Sequence, residues 1–573
     1  MLKKQCLATF VALMLLFSTD VALCQNVSAE KSGIMVVAAN PKAVKAGYQV
    51  LQNGGNALDA AIAVQMLLTL VEPQSSGIGG GAFLLYWDNK TKKLHAYDGR
   101  ETAPATARAD RFLLPNGHPQ DFYQAVVGGL SVGVPGVLAM LEKSHQAHGL
   151  APWPSLFSPA IKLAKRGFVV SPRLRDMLEK DRFLRHNPKA GNYFYDDKGK
   201  PKSRLVNLPL AKTLNDVANG GSRVFYEGEL AKAIVDTVKN ATPSGDLTLD
   251  DLKSYESIKR EPICSTYRSD TVCSMPPPTS GGIALLQMLG ILENFSVKEE
   301  KPDSAKMVHL FTQAQRLAFA DRNQYVADAD FVTVPVAELL EKEYLQKRAE
   351  LIQLDKDMGN AQPGKPLGQP ELDSEESKDY SLPSTSHISI VDGWGNAVSM
   401  TTSVENGFGS RLMVDGFLLN NQLTDFSFLP TTKNKDKAKG DLIANRVEPG
   451  KRPRSSMTPA MVFDANGALK VVAGSPGGSK IIGYVARTIW SILEWNLDPK
   501  TVVAAPNFGN TNGVTTLEAG TPIETLKEPL EAMGHEVVSK KMESGLNVIT
   551  IDKKGMHGGT DPRREGIIIT DRH

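Results

Sequence analysis

The sequence predicts an α+β protein, and three stretches carry that prediction. Ala57 to Leu70 is apolar and Ala-rich, with Asn56 placed to cap it, and reads as a helix buried on most sides. Met307 to Tyr325 has the spacing of a long amphipathic helix. Ser386 to Val391 and Ala397 to Val404 alternate polar and apolar residues around Asp392-Gly393-Trp394-Gly395-Asn396, a hairpin signal. With 573 residues the chain can bury a large core, and length alone suggests more than one domain. Hydrophobic residues at 41% and charged residues at 22% are ordinary for a globular protein. A net charge of +2 gives no electrostatic reason to expect nucleic acid or an anionic membrane as partner.

The elements follow in order. Met1 to Lys4 is basic, Leu7 to Phe17 is apolar, and small residues follow near Ala22, which predicts a secretory signal peptide over 1–24. Cleavage is expected after Cys24 or slightly earlier. A lipid-modified Cys24 fits less well because Leu23 is bulky, and an uncleaved anchor is a further reading. The apolar run is short for a membrane span, and no later segment is apolar for long enough. Asn40-Pro41 opens a helix that Lys42 to Leu51 continues and Gly54-Gly55 ends. Gly77 and Gly79 to Gly81 then crowd before the strand-like Ala82 to Trp87, which implies close backbone approach or unusual torsion angles. A dinucleotide site would need the reverse order, strand then glycines then helix. Helices and loops alternate from Asp121 to Tyr255, and Pro276-Pro277-Pro278 marks a rigid turn. Met358 to Ser384 is polar, rich in Gly, Pro and charge, and reads as an exposed loop that runs directly into the hairpin at Thr385. The basic run Thr431 to Lys439 reads as a solvated loop.

Of four cysteines, Cys6 and Cys24 fall in the leader. Cys264 and Cys273 flank a polar turn, where a disulfide suits an oxidising compartment; two small buried thiols are the alternative. The ten histidines are scattered and no Cys or His cluster has ligand spacing, so no metal or cofactor is expected.

Four stretches, taken in order, resemble the γ-glutamyltransferase family. They are Asn56 to Ala61 with Gly77 to Gly81; Tyr97-Asp98-Gly99-Arg100-Glu101; Thr385-Ser386-His387 with its hairpin and Leu419 to Asp425; and Lys451 to Met457 with Gly474-Ser475-Pro476-Gly477-Gly478. The resemblance runs from about Gly33 to the end. It implies a four-layer αββα sandwich of the N-terminal nucleophile hydrolase type. It also implies self-cleavage between Ser384 and Thr385, giving a large subunit over 25–384 and a small subunit over 385–573 that together build one catalytic domain.

The same resemblance assigns roles. Thr385 would be the nucleophile, with its freed α-amine as base. Ser403 stands where the family usually has a second threonine that hydrogen-bonds the nucleophile, and a serine there keeps the hydroxyl. Gly477 and Gly478 would supply an oxyanion hole. Arg100, with Ser455 and Ser456, would bind the α-carboxylate of a γ-glutamyl group; Asp425, Glu405 and Gln422 would hold its α-ammonium. The implied donors are glutathione and related γ-glutamyl compounds, the acceptors amino acids, peptides or water, and the location periplasmic or secreted. Some family members carry a lid between positions equivalent to Asp425 and Lys451; here Phe426 and Phe428 come early in the stretch and no tyrosine follows. Two other readings stay open: a cephalosporin or glutaryl acylase of the same fold, and an uncleaved, inactive binding protein.

Overall fold

A computed structural model describes residues 33–368, 384–432 and 440–571. The leader, residues 369–383 of the polar stretch before Thr385, and residues 433–439 of the basic run lie outside the described residues.

The two N-terminal helices form where their caps direct. In α1 (Pro41–Gln52) the Asn40 side chain accepts the Lys42 N–H and proline occupies the first turn. In α2 (Ala57–Val71) Asn56 and Asp59 make a reciprocal capping box. Every residue of α2 is buried, as an all-apolar helix requires.

Among the described residues, thirteen strands build two antiparallel sheets. They are β1 (Met35–Ala38), β2 (Gly81–Asp88), β3 (Lys93–Gly99), β4 (Ile258–Arg260), β5 (Ile263–Tyr267), β6 (Asp270–Ser274), β7 (Ser386–Val391), β8 (Ala397–Ser403), β9 (Ala460–Phe463), β10 (Leu469–Gly474), β11 (Asn547–Asp552), β12 (Gly555–Thr560) and β13 (Ile567–Thr570). The first sheet has the order β13-β1-β7-β8-β2-β3-β4 and the second β12-β11-β10-β9-β6-β5. The predicted hairpin is β7–β8, at the centre of the first sheet.

Side-chain alternation then sets the layers. On one face of the first sheet Val36, Ala38, Leu84, Ile388, Ile390, Val398 and Met400 pack with α1 and α2. On the other face Val37, Phe83, Leu85 and Trp87 share a core with Val462, Val472 and Ile549 of the second sheet. That core continues into α3 (Gly281–Leu292), α4 (Ala305–Tyr325) and α5 (Ile481–Trp495). The result is helix, sheet, sheet, helix: the four-layer sandwich that the resemblance implied.

Three details sharpen the sequence reading. Helix α4 is not amphipathic against solvent; it is buried from Met307 to Tyr325, polar residues included. Its polar stripe finds internal partners instead. His309 pairs with His535, Gln313 and Arg316 reach Asp357, and Asp321 holds Arg348 and Tyr344. Cys264 and Cys273 face each other across β5 and β6 and are disulfide-bonded. The crowded glycines serve close approach: a Cβ on Gly79 would lie 2.1 Å from the Leu418 carbonyl oxygen, and one on Gly80 would lie 2.1 Å from that of Ser403.

Gly80 therefore tests the tightness of the sheet edge beneath the candidate site. Gly80→Ala should lower unfolding free energy by about 1–3 kcal/mol or more, because backbone has to shift. A denaturant midpoint indistinguishable from the parent protein would contradict the packing described.

Candidate active site

Register brings the site together. Strands β7 and β8 pair with Thr402 opposite Ser386, so Ser403 comes to lie beside Thr385. Ser403 also pairs with Gly81 at the start of β2, and Gly99 at the end of β3 pairs with Ala82. Four neighbouring strands thus begin or end at one edge of the first sheet. Arg100, Thr385, Ser403 and Glu405 all emerge there. The second sheet joins this edge closely: a Cβ on Gly474, the last residue of β10, would sit 2.1 Å from the His387 ring. Asn547 of β11 donates to the His387 carbonyl at 2.8 Å. The turn Ser475 to Gly478 leaves β10 at this point and leads into α5.

Thr385 is buried, with Oγ1 2.9 Å from Ser403 Oγ. Ser403 Oγ also accepts the Glu405 N–H at 2.9 Å. That bond leaves the Ser403 proton free to donate to Thr385. Ser384 Oγ donates to the Gln74 carbonyl, which holds the residue ahead of Thr385. Two backbone angles here are rare for residues with a Cβ: φ is +157° at Thr385 and +77° at Glu405. Such conformations persist where surrounding contacts over-determine them.

Among the described residues, no histidine is placed to act as base. His387 is buried between Thr401 Oγ1 and Ser389 Oγ, and desolvation pushes it down to about 3, so it stays neutral. Gly477 has φ +141° and Gly478 +62°. A Cβ on Gly477 would meet the Tyr484 ring at 2.6 Å. These two glycines precede α5, where backbone N–H groups point outward.

Arg100 is fully buried. Its Nη2 lies 2.5 Å from Asp425 Oδ2, and its Nε and Nη2 donate to the Pro453 and Arg454 carbonyls at 3.0 and 3.1 Å. Nη1 has no hydrogen-bond partner among the described residues; Glu101 Oε2 is 3.7 Å away. Gln422 Nε2 lies 3.5 Å from Asp425 Oδ2, while its Oε1 is buried without a partner among the described residues. Glu405 takes a hydrogen bond from Asn421. Burial, with the nearby Asp425 charge adding, pushes Glu405 up to about 8. Ser455 Oγ accepts the Met457 N–H at 3.1 Å and Ser456 Oγ accepts from Arg322 at 2.9 Å. Each hydroxyl keeps its proton for donation.

Every residue singled out from the sequence therefore lies at this edge or on a turn joined to it. Phe426 and Phe428 instead pack in a side cluster with Phe112 and Val447, Phe428 stacking on Phe112 at 4.7 Å. Sequence reasoning missed three residues. Arg564 donates to the Thr385 carbonyl at 3.0 Å, and its guanidinium is held down, to about 9, by burial and by Arg173. Asn421 and Arg322 contact Glu405 and Ser456. Arg564 lies 179 positions from Thr385, so no local spacing could reveal it.

Four layers and a threonine at the head of a central strand define a protein of the N-terminal nucleophile hydrolase type. The γ-glutamyltranspeptidase family matches residues 43–570. The glutathione hydrolase proenzyme of Bacillus subtilis (strain 168) is 37% identical over 95% of this chain and 92% of the relative. That of Escherichia coli (strain K12) is 36% identical over 92% and 90%. Among solved structures, the cephalosporin acylase from Bacillus halodurans superposes with TM-score 0.79 at 27% identity, covering 94% of this chain and 96% of that one. Helicobacter pylori γ-glutamyltranspeptidase gives TM-score 0.55 at 35% identity, covering 58% of this chain and 95% of that one. The chain belongs to the γ-glutamyltranspeptidase family.

The raised Glu405 has a measurable consequence. Below about pH 8 Glu405 holds a proton, and an ammonium group placed beside it would favour the carboxylate. Binding of L-glutamate at pH 7 should release a proton, and release should vanish well above pH 8 and in Glu405→Gln. Calorimetry in buffers of different ionisation enthalpy reads this directly; a heat independent of buffer at pH 7 would refute it.

Proposed function

We propose that this chain is the precursor of a periplasmic or secreted γ-glutamyltransferase and glutathione hydrolase. It cuts itself between Ser384 and Thr385, and Thr385 then carries the γ-glutamyl group as an ester. One observation carries the reading: a buried threonine hydroxyl, paired to Ser403 at a strand end, stands at the same edge as an ion pair between the buried Arg100 and the half-buried Asp425. The first is a nucleophile and the second suits a zwitterion.

The chemistry follows from the groups. In the uncleaved chain the Thr385 nitrogen belongs to an amide and cannot take a proton. Attack of Thr385 Oγ1 on the Ser384 carbonyl carbon moves the acyl group from nitrogen to oxygen, and water cleaves the resulting ester. The free amine that results can accept the hydroxyl proton, directly or through water, in the next attack. Nucleophile and base then belong to one residue, and no Ser-His-Asp arrangement is required.

Catalysis repeats that step on a γ-glutamyl donor. Thr385 Oγ1 bonds to the γ-carbonyl carbon, the Gly477 and Gly478 N–H groups receive the negative oxygen, and the amine leaves with a proton. Water or an acceptor amine then displaces the threonine oxygen. Ser403 orients the hydroxyl in both halves. The α-carboxylate is received by Arg100, whose Nη1 is a buried donor awaiting an acceptor, and by Ser455 and Ser456. Asp425, Glu405 and Gln422 take the α-ammonium. The relatives are named as proenzymes, which supports maturation by cleavage. The Helicobacter pylori chain, 95% covered yet spanning 58% of this one, has the length expected of a separate large subunit.

The acylase reading draws on the Bacillus halodurans structure. A glutaryl group carries no α-ammonium, so it would make no ion pair with Asp425 or Glu405. Turnover of a γ-glutamyl anilide should exceed that of the matching glutaryl amide by about 100-fold or more. Equal turnover would favour the acylase.

Wild-type protein should run as two bands on a denaturing gel, the smaller beginning Thr-Ser-His-Ile by mass spectrometry, and Thr385→Ala should run as one. Ser403→Ala should process slowly and lose about 100-fold in kcat. An active wild type that stays in one piece would overturn the mechanism and favour an unprocessed protein.

A further inference from the structure

Arg564 reaches the nucleophile from the turn between β12 and β13. Its Nη1 donates to the Thr385 carbonyl at 3.0 Å and its Nε to the Ser544 carbonyl at 3.1 Å. Gly545 lets it come close: a Cβ there would lie 2.7 Å from Arg564 Cδ and 2.5 Å from Pro476 Cγ. Charged groups surround Thr385 and Arg564 from each neighbouring element. They are Glu72 at the end of α2, Arg173 on the helix Pro172–Lys180, Glu405 after β8, Glu543 before β11, and Asp561 and Glu565 beside Arg564. Glu72, Glu543 and Asp561 each have another cation within ion-pair distance: Arg173 at 3.2 Å, Lys541 at 2.9 Å and Arg563 at 3.0 Å. Glu565 accepts the Arg173 backbone N–H at 2.9 Å.

We propose that Arg564 is a positioning residue that sets a positive charge against the Thr385 backbone and so keeps the freed α-amine unprotonated, ready to act as base. The inference rests on the N-terminal nucleophile reading above and deepens it. Covalent geometry holds an α-amine within about 3–4 Å of the carbonyl oxygen of its own residue. With Arg564 Nη1 3.0 Å from that oxygen, the guanidinium comes within about 7 Å of the amine. An ordinary α-amine titrates at about 7.7–8.0, so only about 10–20% of it is neutral at pH 7. A cation this near disfavours the ammonium form. It lowers the titration by about 0.5 unit in a water-like medium, and by more where water is excluded. Arg564 carries its charge at neutral pH, since burial and Arg173 bring it down only to about 9. Burial pushes Glu72 and Glu405 up, which weakens acids that would otherwise favour the ammonium. Arg564 thus acts through the base and touches no substrate atom.

The pH profile of processed enzyme tests this, read by hydrolysis of γ-glutamyl-p-nitroanilide. Losing the cation raises the amine, so the acid limb of kcat/KM has to move to higher pH. Arg564→Gln keeps a donor for the carbonyl but no charge. It should move that limb up by about 0.5–1 unit and lose about 3–10-fold at pH 6.5, with a high-pH plateau within about threefold of wild type. Arg564→Lys, which retains the charge, should leave the limb within about 0.3 unit of wild type. The shift should persist in a Glu405→Gln background, where that acid no longer titrates. A uniform loss at every pH would reduce Arg564 to a structural brace and overturn the proposal, as would an equal upward shift in Arg564→Lys or a shift that vanishes with Glu405. If Arg564→Gln stays in one piece, Arg564→Lys decides alone: a limb at the wild-type position supports the role of charge, and a raised one overturns it. An active wild type in which no fragment begins at Thr385 would sink the nucleophile reading itself, and that result needs no Arg564 variant.

Discussion

The register between β7 and β8 is the constraint on which the site depends. Side chains alternate along a strand, so a slip of one residue would turn Thr385 and Ser403 towards the helices and Ser386 and Thr402 towards the second sheet. The apolar residues forbid that slip. Ile388, Ile390, Val398 and Met400 must face α1 and α2, where they are fully buried. The opposite parity carries His387, Ser389, Ser399 and Thr401, which hydrogen-bond one another or the second sheet. The hydrophobic core therefore selects which hydroxyls meet at the sheet edge. Packing and chemistry are here one requirement.

Electrostatics at that edge turns on a buried cation and the acids around it. Arg100 is buried, and a buried cation is tolerated only with partners. Asp425 and two backbone carbonyls supply them. Glu101 has no such support: both its oxygens are buried without hydrogen bonds among the described residues, and burial pushes it up to about 8. A protonated Glu101 leaves Arg100 free for another anion. An ionised Glu101 would compete with a substrate carboxylate for the same guanidinium. On the proposed reading, a neutral Glu101 leaves the guanidinium to the substrate carboxylate, and Glu405 answers the ammonium.

Much of the architecture was legible in the sequence because local signals agreed with the final packing. Asn40-Pro41 and Asn56 with Asp59 begin helices by satisfying their first N–H groups. The Asp392 to Asn396 turn closes the central hairpin, with Asp392 accepting the N–H groups of Trp394 and Asn396. The glycines before β2 announced close approach, and Gly79 and Gly80 show it against carbonyl oxygens. Helix α4 was legible as a helix but not in its surroundings. Its polar residues have the spacing of a solvated face, yet they are covered by residues up to 226 positions away, His535 among them. Periodicity reports which residues share a face, not what later covers it.

The candidate site divides along the same line. Thr385, Ser403 and Glu405 sit on or just outside one hairpin, so a short motif could carry them. Arg100, Asp425, Ser455 and Ser456 are distant in sequence, and only a pattern for the whole family linked them in advance. Arg564 and Arg322 escaped because their targets are a backbone carbonyl and a serine hydroxyl. Neither leaves a mark in the sequence, since every residue has a carbonyl and serines are common. Arginines that act on neutral oxygens are invisible to motif reasoning but plain in a bond-by-bond account, because a buried guanidinium has five donors to satisfy. Following those donors outward from Thr385 and from Ser456 leads to the groups that brace these two residues.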